Sequence, residues 1–193
     1  MSKLDMVVLG LLCRKPMHGY EIFTFTTRHG LSSWLRVKKP SVYKALQRLE
    51  KSGHISGEMI ISENHPPRKV YQINPIGSAY FLELLEAVLV DDNICNRPDF
   101  WNAMRFVHGN LTKDHFVEII RLRKSMMDKW HLEIEEKFSL ARERGEFEGK
   151  PFIFGIVHKQ FKKFSEVEYQ TLLDLEAAAV LEENQKDFAA DEK

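Results

Sequence analysis

The sequence is poor in cysteine. Its 193 residues include two, Cys13 and Cys95. They are too few for a disulfide framework and form no C-x-x-C pair, so a reduced, cytoplasmic setting is expected. Long apolar runs are missing too. Charges interrupt every segment before the roughly 20 apolar residues that a bilayer requires. The run from Met6 to Cys13 follows Asp5, is closed by Arg14 and Lys15, and leads to no small-residue cleavage site, so it reads as a core helix and not a signal peptide. No membrane association is expected. Catalytic signatures are absent as well: none of the eight histidines stands at H-x-x-x-H or H-E-x-x-H spacing, and there is no glycine-rich phosphate loop or G-x-S-x-G. Neither an enzyme nor a metal or other cofactor is expected.

Net charge is also lacking, with 28 basic and 28 acidic residues, but the balance hides a division. Residues 1–90 carry 12 Lys+Arg against 7 Asp+Glu, and residues 91–193 carry 16 against 21. An excess of five positive charges in one half and five negative in the other suggests a nucleic-acid-facing half joined to one with another task.

The first half punctuates itself clearly. A helix from about Leu4 to Arg14 buries Val7, Val8, Leu11 and Leu12 and stops at Pro16. A second, His18 to His29, sets Tyr20, Phe23 and Thr27 near one side and ends at Gly30. After a linker, "LSSWLRVKK", Pro40 suits the first turn of a third helix that ends at Gly53. "HISGEMIIS" and "RKVYQIN" are β-prone runs separated by "ENHPP", which predicts a hairpin with an extended tip. Another helix restarts at Asn74 and Pro75. Three helices, a hairpin and a helix describe a helix-turn-helix with a two-stranded wing; a generic small α+β domain shares that order.

The third helix carries the chemistry. Val42, Ala45, Leu46 and Leu49 make one apolar face. Between Arg36 and Lys51 stand Arg36, Lys38, Lys39, Lys44, Arg48 and Lys51 against the single acid Glu50. Cations on such a helix gain DNA affinity by displacing counterions, and the N-terminal residues of a recognition helix reach base edges. Ser41, Tyr43, Lys44 and Gln47 are therefore expected towards bases. Lys38, Lys39, Arg48 and Lys51 add positive charge at the groove, with Lys39, Arg48 and Lys51 expected towards phosphates. In the wing, His65, Arg68 and Lys69 form a second basic site, suited to the backbone or the minor groove.

"LGLLCRKPMHGYEI", "KPSVYKALQRLEKSG" and "PPRKVYQINPIGSAYF" together resemble three successive signatures of the PadR family of winged-helix transcription regulators, in order and spacing. The resemblance implies a dimer on a promoter-proximal, roughly palindromic DNA site. It also implies Tyr43 at the DNA-facing start of the recognition helix and Pro67, Arg68 and Lys69 against phosphates. Two features depart from the family pattern: the wing tip lacks glycines, and Lys38 and Lys39 precede Pro40.

Beyond "VDDNICNRP" the chain reads as helical. Phe116, Ile120, Met127, Trp130, Ile134, Phe138 and Ala141 form one stripe, and Ile153, Val157, Phe161, Phe164, Leu172, Leu175 and Ala179 form another. Two antiparallel helices of about 30 residues result, and this half is similar to the larger PadR subgroup, whose helical C-terminal domain dimerises. Phe116, Ile120, Met127, Trp130, Ile134, Phe161, Phe164, Leu172 and Leu175 are the expected dimer interface; packing within one chain is the alternative. Trp34, Phe100, Trp101, Phe106 and Trp130 could line a small-molecule effector pocket. The expected organisation is thus a mainly α chain: a winged helix-turn-helix over 1–90, a helical dimerisation domain over 98–185, and a tail from 186 that frays. The expected function is a homodimeric, sequence-specific DNA-binding regulator, a repressor responsive to a small molecule; a winged-helix adaptor for an acidic protein is the alternative.

Overall fold

The computed structural model describes residues 2–62, 65–91, 93, 96–146, 148–149 and 151–190, less the side chains of residues 62 and 65. The elements are α1 (Lys3–Leu12), β1 (Met17–His18), α2 (Gly19–Arg28), α3 (Leu31–Leu35), α4 (Lys39–Lys51), β2 (Ile55–Ser62), β3 (His65–Ile73), α5 (Pro75–Leu89), α6 (Arg97–Ala103), α7 (Lys113–Glu143) and α8 (Ile153–Ala179). Short 3-10 turns follow at Met104–Phe106 and Glu182–Asp187. The chain is mainly α with a small wing. No helix among the described residues is long and apolar enough to cross a membrane.

Packing divides the chain into two units, Met1–Leu89 with Pro98–Phe106, and Val90–Arg97 with Val107–Lys193. The expected second domain began at residue 98. The structure differs because Phe100, Ala103 and Phe106 are buried and Phe106 meets Phe81 edge-on at 6.4 Å, which holds residues 98–106 in the first unit.

In that unit α1 is the central element. Asp5 to Leu12 are all buried, so α1 lacks the single stripe expected of it and is covered all round. α4 and α5 pack on it, while α4 also receives α2. α2 begins with a reciprocal cap: the His18 ring accepts from Glu21 N (3.2 Å), and the Glu21 carboxylate accepts from His18 N (3.0 Å). Its buried residues are Gly19, Ile22 and Thr26. The expected linker contains the one-turn helix α3, with Leu31 buried in the core. The sheet has the order β1–β3–β2, all antiparallel, with Met17 opposite Tyr71 and Gly57 opposite Tyr71 on the other side. The β2–β3 ladder extends to Ser62 and His65, past the proline corner expected to be open, with an irregularity after Ile60. Asn74 starts α5: its side chain accepts from Gly77 N (2.9 Å) and donates to the Gly53 carbonyl (2.8 Å). Burial pushes the Cys13 thiol up from its ordinary pKa; Cys95 lies outside the described residues.

In the second unit α7, capped by Thr112, runs antiparallel to α8. The partners fall in opposite sequence order: Arg121 and Lys124 to Glu176, Arg123 to Glu168, His131 to Ser165, and Lys162 to Glu135. Glu168 is nearly buried and takes both Arg123 (3.0 Å) and Arg97 (2.6 Å). The apolar stripe splits along this pair. Phe116, Ile120, Met127 and Leu172 are buried within the chain, so as interface residues they need correcting: intrachain packing already occupies them. Trp130, Ile134 and Leu175 are half-buried, whereas Phe161 and Phe164 are 53% and 55% exposed. The tail expected to fray from 186 is described to residue 190: Gly109 N donates to the Asp187 carbonyl (2.9 Å) and Ala189 N to the Leu111 carbonyl (2.8 Å).

Candidate nucleic-acid interface

α4 buries Val42, Ala45, Leu46 and Leu49, and this fixes which residues remain outside. Lys38, Lys39, Tyr43, Lys44, Gln47, Arg48 and Lys51 are exposed and Ser41 is half-buried. Lys44, Gln47, Arg48, Lys51 and Ser52 line a shallow open groove along the helix. Lys38, Lys44 and Lys51 make no ion pair among the described residues. Side chains of this kind keep their whole charge available to an anionic surface.

Arg48 is different. Its Nε donates to Asp5 Oδ2 (3.2 Å), its Nη2 bonds Asp5 Oδ1, and the same nitrogen reaches Ser2 Oγ at 3.5 Å. The Asp5 side chain is only 5% exposed, so a fork-to-carboxylate pair ties α4 to the start of α1. The Asp5 hydrogen bond pushes the Arg48 pKa above its ordinary value. Arg48, expected towards phosphates, is thus also paired within the chain, and this pair joins α4 to α1.

Lys69, also expected towards phosphates, is likewise paired within the chain. Its ammonium lies 2.7 Å from the Glu50 carboxylate and 5.5 Å from the Tyr71 ring centroid. The Glu50 hydrogen bond pushes the Lys69 pKa up, and burial pushes up that of Tyr71. This clamp joins the last turn of α4 to the wing. It lies against Gly57, where a Cβ would strike Lys69 Cε and come within 2.8 Å of Glu50 Oε1, so a larger residue would displace the two side chains. Arg68, one residue earlier, is exposed and makes no ion pair among the described residues. The side chain of His65 lies outside the described residues.

At the other end of α4, Tyr43 lies over Gly19, where a Cβ would sit 2.8 Å from the ring. The tyrosine is 37% exposed, so one edge packs on α2 and the other faces outward. Lys39 Nζ stands 5.3 Å from the centroid of Tyr20, which is 55% exposed. The sequence left Tyr20 open between packing and binding; in the structure it is exposed beside Lys39. Reasoning from residue type missed Asp5 and Glu50, whose partners lie 43 and 19 positions away.

The aromatic residues expected to line a pocket have separate surroundings. Trp34 Nε1 donates to Asp99 (2.7 Å), Phe100 and Phe106 are core, and Trp101 stacks edge-on against Phe100 at 5.2 Å. Trp130 alone of the five lines a cleft, of about 740 Å³, between α7 and α8, together with Ile134, Phe138, His158 and Phe161. No group of three or more potential metal ligands occurs among the described residues.

Comparison with known proteins falls on the same region. The model of the transcriptional regulator PadR-like family matches residues 8–83. An uncharacterized protein of Lysinibacillus sphaericus is 32% identical over 83 residues, which cover 43% of this chain and 75% of the relative. Among solved structures, Bacillus subtilis PadR in complex with operator DNA is 17% identical, over 93% of this chain and 98% of that one, with a TM-score of 0.41. The smu.1604c protein of Streptococcus mutans UA159 is 23% identical, over 92% and 99%, with a TM-score of 0.41.

Proposed function

The chain belongs to the PadR-like family of transcriptional regulators, and from that premise we propose that it binds a specific, roughly palindromic operator as a homodimer and represses transcription there. One observation carries the DNA-reading role: Lys38 and Lys39 at the start of α4, and Lys44 and Lys51 along its outer side, are exposed without acidic partners among the described residues. The first turns of the helix bring Ser41, Tyr43, Lys44 and Gln47 to base edges, the lysines neutralise phosphates, and Arg68 takes the wing to the adjoining backbone or minor groove. A protein bound across a promoter excludes polymerase, which makes repression the natural outcome.

Dimerisation follows from what one helix can read. A single recognition helix covers a few base pairs, so useful specificity needs a second copy about 34 Å away along the duplex. Exposed apolar residues on α8, Phe161 and Phe164 among them, supply surface for that association. The cleft at Trp130, Phe138 and Phe161 lies among the same residues. A small molecule bound there would change half-site spacing to the extent that it prefers one dimer arrangement over another.

The test is selection of duplex DNA from a random pool by the purified protein, with light scattering of the free protein. A selected two-fold site and a dimer mass support the reading. A pool that yields no preferred duplex refutes it and favours the adaptor.

A further inference from the structure

We propose that Asp99 is a positioning residue for DNA binding: from α6 it holds Trp34, just ahead of α4, and so fixes where the first turn of α4 presents Lys38, Lys39 and Lys44. The proposal rests on the reading of α4 as the DNA-facing helix, and it concerns a residue that touches no DNA.

Asp99 is 7% exposed, although it is a carboxylate in a short helix that enters the first unit from beyond residue 97. It accepts a hydrogen bond from Trp34 Nε1 at 2.7 Å and is paired with Lys3 at the first residue of α1. One buried anion thus collects donors 65 and 96 positions away in sequence. A buried carboxylate is costly unless such donors satisfy it, so the arrangement constrains all three elements at once.

What Trp34 controls follows from the backbone around it. α3 is a single turn of five residues with no side-chain cap at its start. It closes on Arg36 at φ +49°, the left-handed region, which a residue with a Cβ adopts only under constraint from its surroundings. Two residues later Lys38 caps α4 with no side-chain hydrogen bond of its own. The N-terminal turn of α4 has no side-chain cap, and on its inner side it is held by buried Val42 and by Tyr43 over Gly19. The segment that leads into it is placed by Leu31, buried in the core, and by Trp34, held by Asp99. The C-terminal half of α4 has its own anchors in Asp5 and Lys69. Without Asp99 the helix keeps its far end and loses definition at the end that meets base edges.

The experiment compares the parent with Lys44→Ala, Asp99→Ala, Trp34→Phe and the Asp99→Ala/Trp34→Phe double variant, on the duplex selected above, at several salt concentrations. Trp34→Phe keeps an aromatic ring and removes the donor together with part of the indole surface. Asp99→Ala and Trp34→Phe are each expected to weaken binding roughly 5- to 10-fold, with the double variant no weaker than the weaker single one. The slope of log K against log salt stays parental, because no phosphate contact is lost, whereas Lys44→Ala lowers it. Melting curves establish that each variant is folded at the assay temperature. Parental affinity in folded Trp34→Phe overturns the proposal even if Asp99→Ala fails to fold; so does a lowered slope in either single variant. A parent with no duplex preference removes the α4 reading and the proposal together, while normal behaviour of the parent and of Lys44→Ala beside an unaffected Trp34→Phe removes the proposal alone.

Discussion

Replacing Arg48 with Ala separates a cation that anchors the helix from one that binds DNA. The change strands the Asp5 carboxylate, whose side chain is 5% exposed, without its two-pronged partner. Truncating one member of a fully buried pair costs about 3–5 kcal/mol. Arg48, however, is 54% exposed, so water screens the pair and can solvate the abandoned carboxylate; about 1–2 kcal/mol is the expected loss. In a unit of about a hundred residues this lowers the melting midpoint by roughly 4–16 °C. The salt slope of DNA binding should barely move, because the Arg48–Asp5 pair is neutral and releases little counterion on contact. Lys44→Ala has the opposite signature. It abandons no partner and leaves the midpoint near parental, but it reduces the slope by about 0.9 per half-site, or about 1.8 for a dimer on both. Calorimetric melting and fluorescence anisotropy from about 50 to 200 mM salt measure the two quantities independently. If Arg48→Ala melts like the parent and loses slope as Lys44→Ala does, Arg48 is a phosphate contact and the anchoring argument is refuted.

Gly57→Ala should push Lys69 away from Glu50 and free the wing from α4, lowering operator affinity several-fold; retained affinity would show that the clamp does not position the wing. Hydrogen bonds from Lys124 and then Arg121 hold the Glu176 carboxyl below its ordinary pKa, so its stabilisation is complete above the unfolded value and is lost as pH falls through the lowered one. Urea midpoints of the parent and Glu176→Gln between about pH 7 and pH 3 should therefore converge on acidification; a constant gap argues against the triad. Leu172→Ala, at a fully buried site, should cost about 2–5 kcal/mol of stability, whereas Phe161→Ser should leave the melting midpoint near parental and weaken self-association in sedimentation equilibrium. Equal effects of the two on melting would contradict the division of the stripe.

Local signals made much of the fold legible. The apolar face of α4 was readable because Val42, Ala45, Leu46 and Leu49 repeat at helical spacing and Gly53 closes the run. Proline and asparagine marked α5 in the same way. β1 was not readable, since two residues carry no periodicity; Met17 and His18 become a strand only because β3 offers a free edge. α3 was hidden because one helical turn, held from outside by Asp99, resembles a loop in sequence. α1 misled in another way: burial on every side gives an apolar run in which any stripe can be drawn. On α4, residue type told which side chains face outward. It could not divide the labour, because whether a cation binds DNA or protein depends on an acid elsewhere in the chain. Arg48 and Lys51 stand three residues apart on the same helix, and only the first finds Asp5.

The acids of the basic half acquire a purpose from this division. Seven acidic residues lie between positions 1 and 90, and two of them, Asp5 and Glu50, pair with Arg48 of α4 and Lys69 of β3. They reduce the positive field, but a helix that reads sequence gains more from a fixed pose than from two further charges: non-specific attraction rises equally for every duplex, and discrimination does not. The cations left over on α4, the segment that leads into it and the wing strand are Arg36, Lys38, Lys39, Lys44, Lys51 and Arg68. If each neutralises one phosphate, a protomer contributes a slope of about 5.4 and a dimer about 10.8, the ceiling for this set. A steeper dependence would require Arg48 or Lys69 to leave its carboxylate on binding, with the anchors giving way as DNA arrives. A fixed helix cannot exceed the ceiling, so the slope itself distinguishes a rigid reading head from one assembled on the duplex.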